Sequence, residues 1–382
     1  MGTATGTLAG RHRGAIERLC AGGLDQDGLT EVSRRLNEVV SFDAAFWSGC
    51  DPLTGLATSP ALVENFPESS CAAYWHQEFV DDDFIPFMDL ARGPHPVSTL
   101  HAATAGRPGR SGRHRLVMGP LGLDAELRVA FMRGGAVWGI AALYRERGRP
   151  GFTGDEVELV SQVAPVVAEG MRRVAYRERA HVPGLPEAPG MLIFDESGHV
   201  LLRNDAAEAW LRLLSPDPYA GRVGSPVHLH TELLAVAHRA RAAARHRDEA
   251  GGGGGDVIPE ARLRVRAVNG LWLVVHASCL SGAGGGGEVA VMIEAAKGSE
   301  MAPIIAEALG FTAREQEITS AVARGEGTGE IASRLHLSPH TVRDHLKAIF
   351  EKAGVSSRGE LVARLFSDHY LPRGAGGGHP TG

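Results

Sequence analysis

Residues Ser338–Ala353, S-P-H-T-V-R-D-H-L-K-A-I-F-E-K-A, predict one amphipathic helix whose two ends are both marked. Ser338 is a residue type favoured at the N-cap, and Pro339 suits the first helical position because it has no N–H to leave unpaired. Gly354 is placed to end the helix with a positive φ angle. The apolar positions recur at helical spacing, at Val342, Leu346, Ile349, Phe350 and Ala353. Such a helix buries one face and presents cations and hydrogen-bonding groups on the other.

The flanking sequence predicts further helices around this one. Thr312 and Glu315 have the spacing of a capping box, which predicts the start of a helix. A short helix is expected around residues 330–335, and Ser357 with Glu360 predicts the start of a last helix. A short helix, a tight turn and a longer amphipathic helix form the layout of a helix-turn-helix motif, whose second helix enters the major groove of DNA.

The motifs F-T-A-R-E-Q-E-I, E-I-A-S-R-L, S-P-H-T-V-R-D-H-L-K-A-I-F-E-K-A-G-V and S-R-G-E-L-V, taken together, resemble the LuxR-type DNA-binding domain over Leu309–Phe366. The resemblance implies an all-α domain of four helices at residues 303–370, with the helix Pro339–Lys352 in the major groove of double-stranded promoter or operator DNA. It also implies a homodimer, and RNA polymerase is a further candidate partner.

The resemblance assigns DNA-binding roles, by position, to Thr328, His340, Thr341, Arg343, Asp344, His345, Lys347 and Lys352. Arg343, Asp344 and Lys347 are expected to face the bases, and a carboxylate can accept a hydrogen bond from cytosine N4. Thr341 and His345 are expected nearer the DNA backbone.

The sequence departs from the family pattern before the short helix. Gly327-Thr328-Gly329 stands where the family usually has Ser/Thr-Asn-Lys, so a phosphate-contacting lysine is missing at position 329. The helix cap is expected from Thr328 or from the backbone. The net charge of the chain is −6, and Met301–Arg373 carries nine Lys or Arg against nine Asp or Glu. Binding to DNA must therefore depend on local pattern and on dimer avidity.

The distribution of lysine and cysteine excludes several classes of protein. The only lysines are Lys297, Lys347 and Lys352, and none stands in the Gly-Lys-Ser/Thr sequence of a Walker A loop. A phospho-receiver domain also needs a lysine, and no lysine precedes residue 297. The four cysteines are scattered without a C-x-x-C pair, so neither a metal site nor a disulfide framework is expected. With no signal-peptide pattern and no apolar run long enough to span a bilayer, we expect a cytoplasmic, nucleoid-associated protein.

The first part of the chain predicts an α+β domain at residues 1–180. One or two helices are expected over Ala15–Val40, and a loop over Gly93–Arg115. Leu127–Arg133 and Ala136–Tyr144 flank Gly134-Gly135, which predicts a β-hairpin, and a long helix follows from Gly154. The hairpin and helix resemble the end of a GAF domain, which implies a sensor and dimerisation module. Nine aromatic residues between Phe42 and Phe87 predict a core, with an apolar ligand pocket as the alternative.

The pattern D-x-x-G-x-V-x-x-x-N-x-A-A at residues 195–207 resembles the start of a PAS domain and implies an α+β sensor domain at residues 188–298. Further strands are expected at 262–268, 271–280 and 289–294. The glycine runs 251–255 and 282–287 are interpreted as flexible insertions, and residues 371–382 as a disordered tail. His228 and His230 are candidate haem ligands, a reading that the sequence does not favour. No cofactor is expected. The resemblance to GAF and PAS domains nevertheless allows an unidentified small-molecule ligand in either sensor domain.

The leading hypothesis is a multidomain transcriptional regulator and not an enzyme. Its GAF-like and PAS-like domains would control the helix-turn-helix by binding a ligand differently in two states. One alternative is an enzyme in the N-terminal half that uses Cys71 or Asp81-Asp82-Asp83. Another is a protein-interaction module whose helix-turn-helix has lost DNA binding.

Overall fold

The computed structural model describes residues 2–176, 186, 188–214, 231–249, 261–281 and 287–367. These residues fall into two compact units. The first comprises residues up to 268 together with 273–294, and the second comprises 269–272 and residues from 295 onward. Among the described helices, none is long and apolar enough to cross a membrane.

The first part of unit 1 is an antiparallel sheet with helices packed against it. Its described strands lie in the order β2-β1-β5-β4-β3. The strands are β1 (Ala44–Cys50), β2 (Ala57–Glu64), β3 (Val97–Thr99), β4 (Leu123–Arg133) and β5 (Ala136–Glu146). The helices are α1 (Gly2–Ala21), α2 (Gln26–Asn37), α3 (Cys71–Phe79), α4 (Phe87–Arg92), α5 (Leu100–Ala103) and α6 (Gly154–Tyr176).

The predicted hairpin is confirmed at the centre of this sheet. Arg133 pairs with Ala136, and the turn between them has φ angles of 65° at Gly134 and 92° at Gly135. Two consecutive positive φ angles are what a primed turn requires, and glycine adopts them without a Cβ clash. The one or two helices expected over Ala15–Val40 are two, α1 and α2, and the long helix after the hairpin is present as α6.

The loop predicted over Gly93–Arg115 is wrong in part. Val97 pairs with Val129, so this segment supplies the edge strand β3. Thr99 then caps α5, because its side chain accepts a hydrogen bond from the Ala102 amide. The Pro- and Gly-rich composition indicated a loop, but pairing with a distant strand prevailed over local propensity.

The aromatic residues between Phe42 and Phe87 form a core, as predicted, and all except Phe79 and Phe84 are buried. The rings of Trp47 and Phe131 stack with centroids 5.7 Å apart. Such ring pairs add to the stabilisation that burial of apolar area provides.

The second part of unit 1 is another sheet, with described strands in the order β7-β6-β10-β9-β8. Its strands are β6 (Gly190–Phe194), β7 (Val200–Arg203), β8 (Arg262–Arg266), β9 (Trp272–Cys279) and β10 (Val289–Ala295), and its helices are α7 (Asp205–Leu211) and α8 (Thr231–Glu249). Asn204 caps α7 by accepting from the Ala207 amide. Strands β8, β9 and β10 confirm the predicted strands at 262–268, 271–280 and 289–294, whereas α8 was not anticipated. His228, His230, residues 251–255, most of 282–287 and the tail 371–382 lie outside the described residues.

Unit 2 is helical in the part that the structure describes. It contains α9 (Gly298–Ala308), α10 (Ala313–Ala323), α11 (Thr328–Leu335), α12 (Pro339–Ala353) and α13 (Arg358–Val362), followed by a π-helical turn at Ala363–Ser367. The sequence predicted the four helices α10–α13. The additional helix α9 precedes them and buries Met301, Ile304 and Ile305.

Candidate nucleic-acid interface

Helix α12 begins and ends where the sequence predicts. The Ser338 hydroxyl accepts a hydrogen bond from the Thr341 amide at 3.0 Å, and Pro339 occupies the first turn. Gly354 has a φ angle of 64°, and its amide donates to the Glu351 carbonyl. Both ends are therefore fixed by local hydrogen bonds, which satisfy polar groups that a helix end leaves unpaired.

One face of α12 is buried in unit 2. Val342 and Ile349 are 0% exposed, and Leu346 is 6% exposed. These residues stand four and three positions apart, so they lie on the same side of the helix. The predicted inward placement of these three side chains is confirmed, and it fixes which residues face outward.

The turn between α11 and α12 is short. His336 has a φ angle of 55°, in the left-handed region that non-glycine residues seldom adopt, and it ends α11. The Leu337 amide then donates to the Ala332 carbonyl at 2.9 Å, which closes the turn before Ser338. Helix, left-handed turn and helix form a helix-turn-helix, as the spacing predicted.

The outward face of α12 carries the exposed polar residues His340, Arg343, Asp344 and Lys347 in its first half, and Glu351 one turn later. His340 Nδ1 lies 3.0 Å from Asp344 Oδ2, and Arg343 Nε donates to the Pro339 carbonyl at 3.1 Å. Lys347 Nζ has no hydrogen-bond or ion-pair partner among the described residues. Thr341 and His345 are half-buried at the edges of this face. The arrangement presents two cations and one carboxylate within two helical turns.

Lys352 and Thr328, which were also assigned to DNA, have partners outside their own helices in unit 2. Lys352 Nζ donates to Glu315 Oε2 at 2.7 Å and to the Gly310 carbonyl at 3.0 Å. The Thr328 hydroxyl accepts a hydrogen bond from Arg358 Nη2 at 2.7 Å. Sequence reasoning missed Arg358, because its partner lies 30 residues away in the chain.

Of the two predicted caps for α11, the Thr328 side chain or the backbone, the structure has the backbone one. The N-cap residue is Gly327, whose amide donates to Glu330 Oε2 at 2.6 Å, so the cap does not come from the Thr328 side chain. Gly327 has no side chain to complete a capping box. Gly329 is exposed in the first turn of α11, and a Cβ added there would meet nothing within 4 Å.

Three of the residues considered for an enzyme, Asp81, Asp83 and Cys71, are paired or buried in the fold. Asp83 Oδ2 accepts from the Ser111 hydroxyl at 2.8 Å and from the Arg113 amide at 2.7 Å. Asp81 Oδ2 accepts from Gln77 at 2.6 Å, and Cys71 is buried. Among the described residues, no group of three or more His, Cys, Asp or Glu side chains could hold a metal ion.

Comparison with known sequences places the helical domain in a family. The bacterial regulatory proteins of the luxR family match residues 309–365. The spore germination protein GerE of Bacillus subtilis is 39% identical over 55 residues, which cover 14% of this chain and 74% of GerE. The chain therefore belongs to the luxR family of bacterial regulatory proteins.

Longer relatives match a similarly short stretch of this chain. The probable transcriptional regulatory protein NarL of Mycobacterium tuberculosis is 36% identical over 61 residues, covering 16% of this chain and 28% of NarL. The chain thus matches little more than a quarter of that relative's length. The crystal structure of SdiA from Escherichia coli overlaps 94% of this chain and 98% of its own, at 12% identity and a TM-score of 0.30. A TM-score this low carries no conclusion about either sheet.

Proposed function

We propose that the chain is a DNA-binding transcriptional regulator whose helix α12 contacts base edges in the major groove. The observation that carries this proposal is the outward face of α12, where Arg343 and Lys347 are exposed while Leu346 between them is buried. A helix held in this way can enter the groove without exposing apolar residues. Membership in the luxR family supports the same function.

The proposed roles follow from the donors and acceptors that each side chain offers. Arg343 and Lys347 donate to guanine O6 and N7, which is the commonest specific contact in protein–DNA complexes. Asp344 accepts from cytosine N4, and its hydrogen bond with His340 orients the carboxylate. Thr341 and His345 contact phosphates at the edges of the groove.

Thr328 and Lys352 contribute differently in this proposal. Because Arg358 already donates to Thr328, and Glu315 already pairs with Lys352, these two side chains chiefly hold the helices in place. Any contact they make with phosphate has to compete with those bonds. Fewer free cations then remain for the DNA backbone than in a lysine-rich relative.

We propose that a homodimer supplies the remaining affinity. A balanced charge over Met301–Arg373 gives weak electrostatic attraction to DNA, and linking two half-site contacts raises the overall affinity without new contacts. RNA polymerase remains a candidate partner at the promoter.

We propose that residues 1–180 and 188–298 are GAF-like and PAS-like sensor domains that control the DNA-binding domain at 303–370. Each contains a five-stranded sheet in its described residues, and the local strand order is the same in both: second, first, fifth, fourth, third. This repeated α+β arrangement supports two related sensor modules. A signal shifts the regulator only if it binds two states with different affinity.

The test is selection of bound sequences from a random pool of DNA duplexes by the purified full-length protein, at several salt concentrations. The proposal predicts one enriched motif and an affinity that falls as salt rises, because bound cations release counterions from DNA. A folded protein that enriches no motif would instead support the protein-interaction module. His340, which is exposed and bonded to Asp344, offers a further variant for mapping the contacted bases.

A further inference from the structure

Unit 1 contains a cavity of about 820 Å³. Its walls come from α3, from the turn between β6 and β7, and from α8. Apolar atoms of Ala72, Leu116, Val200 and Leu234 form much of the lining. A volume of this size lies within the range of small-molecule sites, which are mainly apolar with a few placed polar groups.

The turn that forms one wall is packed closely against the helices. Gly198 has a φ angle of 85°, and a Cβ at this position would come within 3.1 Å of both Ala72 Cβ and Leu234 Cδ2. Glycine is therefore the residue that permits both the turn and this close approach. The wall is a packed element of unit 1 and not a loose loop over the surface.

His238, on α8, lines this cavity and carries a buried hydrogen-bonding atom that is not used within the described residues. The residue is 1% exposed, and its Nε2 atom has no hydrogen-bond partner among the described residues. The other ring nitrogen, Nδ1, lies 3.4 Å from Arg241 Nη1. A guanidinium can only donate, so Nδ1 is the acceptor and the neutral ring carries its hydrogen on Nε2.

The imidazole of His238 stays neutral at ordinary pH. Burial, reinforced by the positive charge of Arg241 and by His76, lowers the pKa of His238 to about 3. The His76 ring contacts it edge-on, with centroids 5.8 Å apart. Nε2–H is thus a buried neutral donor with no acceptor in the described part of the chain, and buried donors in folded proteins are nearly always paired.

The charges around the cavity restrict what can fill it. The described lining contains two carboxylates, Glu68 and Glu196, and neither lysine nor arginine. An anionic ligand would therefore be repelled and would find no cation to pair with. The apolar walls likewise disfavour a strongly hydrated ligand.

We propose that this cavity binds an uncharged, mainly apolar small molecule that places one acceptor oxygen, such as a carbonyl oxygen, against Nε2 of His238. This inference gives a site and a ligand class to the sensor part of the proposed function, and it rests on that part. It does not depend on DNA binding by α12.

The experiment uses the neutral dye Nile red, which carries a carbonyl group, and the full-length protein without DNA. Wild type is expected to give saturable, blue-shifted fluorescence. His238→Phe keeps the ring but removes the donor, so the dissociation constant should rise about 5- to 30-fold, as for the loss of one hydrogen bond. Ala72→Phe should abolish saturable binding by filling the cavity. His95→Phe and Ala102→Phe make the same changes at exposed positions and should bind as wild type does.

Thermal melting of each variant shows whether it folds, and Ala72→Phe decides the question if His238→Phe does not fold. Absence of saturable binding by wild type would overturn the proposal, as would unchanged binding by both cavity variants. Loss of binding in Ala72→Phe with full binding in a folded His238→Phe would refute the acceptor oxygen. Because DNA is absent, failure here is distinct from failure of the duplex selection.

Discussion

Lys352 Nζ lies 2.7 Å from Glu315 Oε2, which joins the last turn of α12 to the first turn of α10. The same carboxylate oxygen accepts from the Thr312 amide at 2.6 Å and so completes a capping box. Burial raises the pKa of Glu315, but the hydrogen bonds from Lys352 and Thr312 outweigh it, so the pKa lies below its ordinary value of 4.5. One ionised carboxylate therefore serves both the helix cap and the packing of α12.

Replacing Lys352 by Met should loosen α12. The variant keeps most of the apolar stem but loses a charge-assisted hydrogen bond. Because the lysine is partly exposed, we expect the free energy of local unfolding of α12 to fall by only about 1 kcal/mol. Hydrogen exchange of peptides from α12 measures this. Lys347→Met makes the same change on the same helix at a residue that has no partner among those the structure describes, and should leave exchange unchanged. Equal exchange in the two variants would show that the Lys352–Glu315 contact does not stabilise the domain.

Acid should weaken the same contact. Because the folded-state pKa of Glu315 is lowered, its contribution to stability is complete above its ordinary value of 4.5 and is lost as the pH falls through the lowered value. In calorimetry of the full-length protein, the melting temperature should decrease less between about pH 5 and pH 3 for Lys352→Met than for wild type. Parallel decreases would contradict this linkage.

Leu346→Ala should destabilise the helix-turn-helix. Leu346 is 6% exposed between Val342 and Ile349, and truncation of a buried leucine leaves a cavity that costs about 2–5 kcal/mol. Lys347→Ala, the next residue and exposed, is the control. Hydrogen exchange in peptides from α12 should be much faster in the first variant only, and unchanged protection would contradict the inward placement of Leu346.

Gly329→Lys should strengthen DNA binding. The site is exposed, an added Cβ meets no atom within 4 Å, and a lysine there would add one phosphate contact. The slope of log affinity against log salt should steepen by about 0.9, as expected for one more contact. Gly359→Lys is a matched control, because Gly359 is also exposed in the first turn of a helix with free space around its Cβ. An equal gain in both variants would indicate a general charge effect.

Local signals explain why the helix-turn-helix could be predicted from the sequence. Ser338, Gly354 and the capping box at Thr312 act within one helical turn, so the residues that fix each end are adjacent in the sequence. The apolar stripe of α12 then determined its buried face. The edge strand β3 was missed because its pairing with β4 is a long-range contact.

The partners of the site residues could not be predicted from the sequence either. Lys352 and Glu315 are 37 positions apart in the sequence, which hides their pairing, and Lys352 therefore looked like a free cation on the groove face. Similarly, the cavity at His238 joins segments that are more than 100 residues apart, and α8 has no motif that marks it. Such contacts depend on tertiary packing, which periodicity and capping patterns do not encode.

The central claim is that α12 reads base edges with Arg343 and Lys347. Its most direct test is the equilibrium affinity of the full-length protein for its selected duplex and for a scrambled duplex, measured for wild type, Arg343→Ala and Lys347→Ala. Arg92→Ala, an exposed arginine on α4, is the control. We predict that each α12 variant loses about 1–3 kcal/mol on the selected duplex and little on the scrambled one. Wild-type affinity of both variants for the selected duplex would contradict the account.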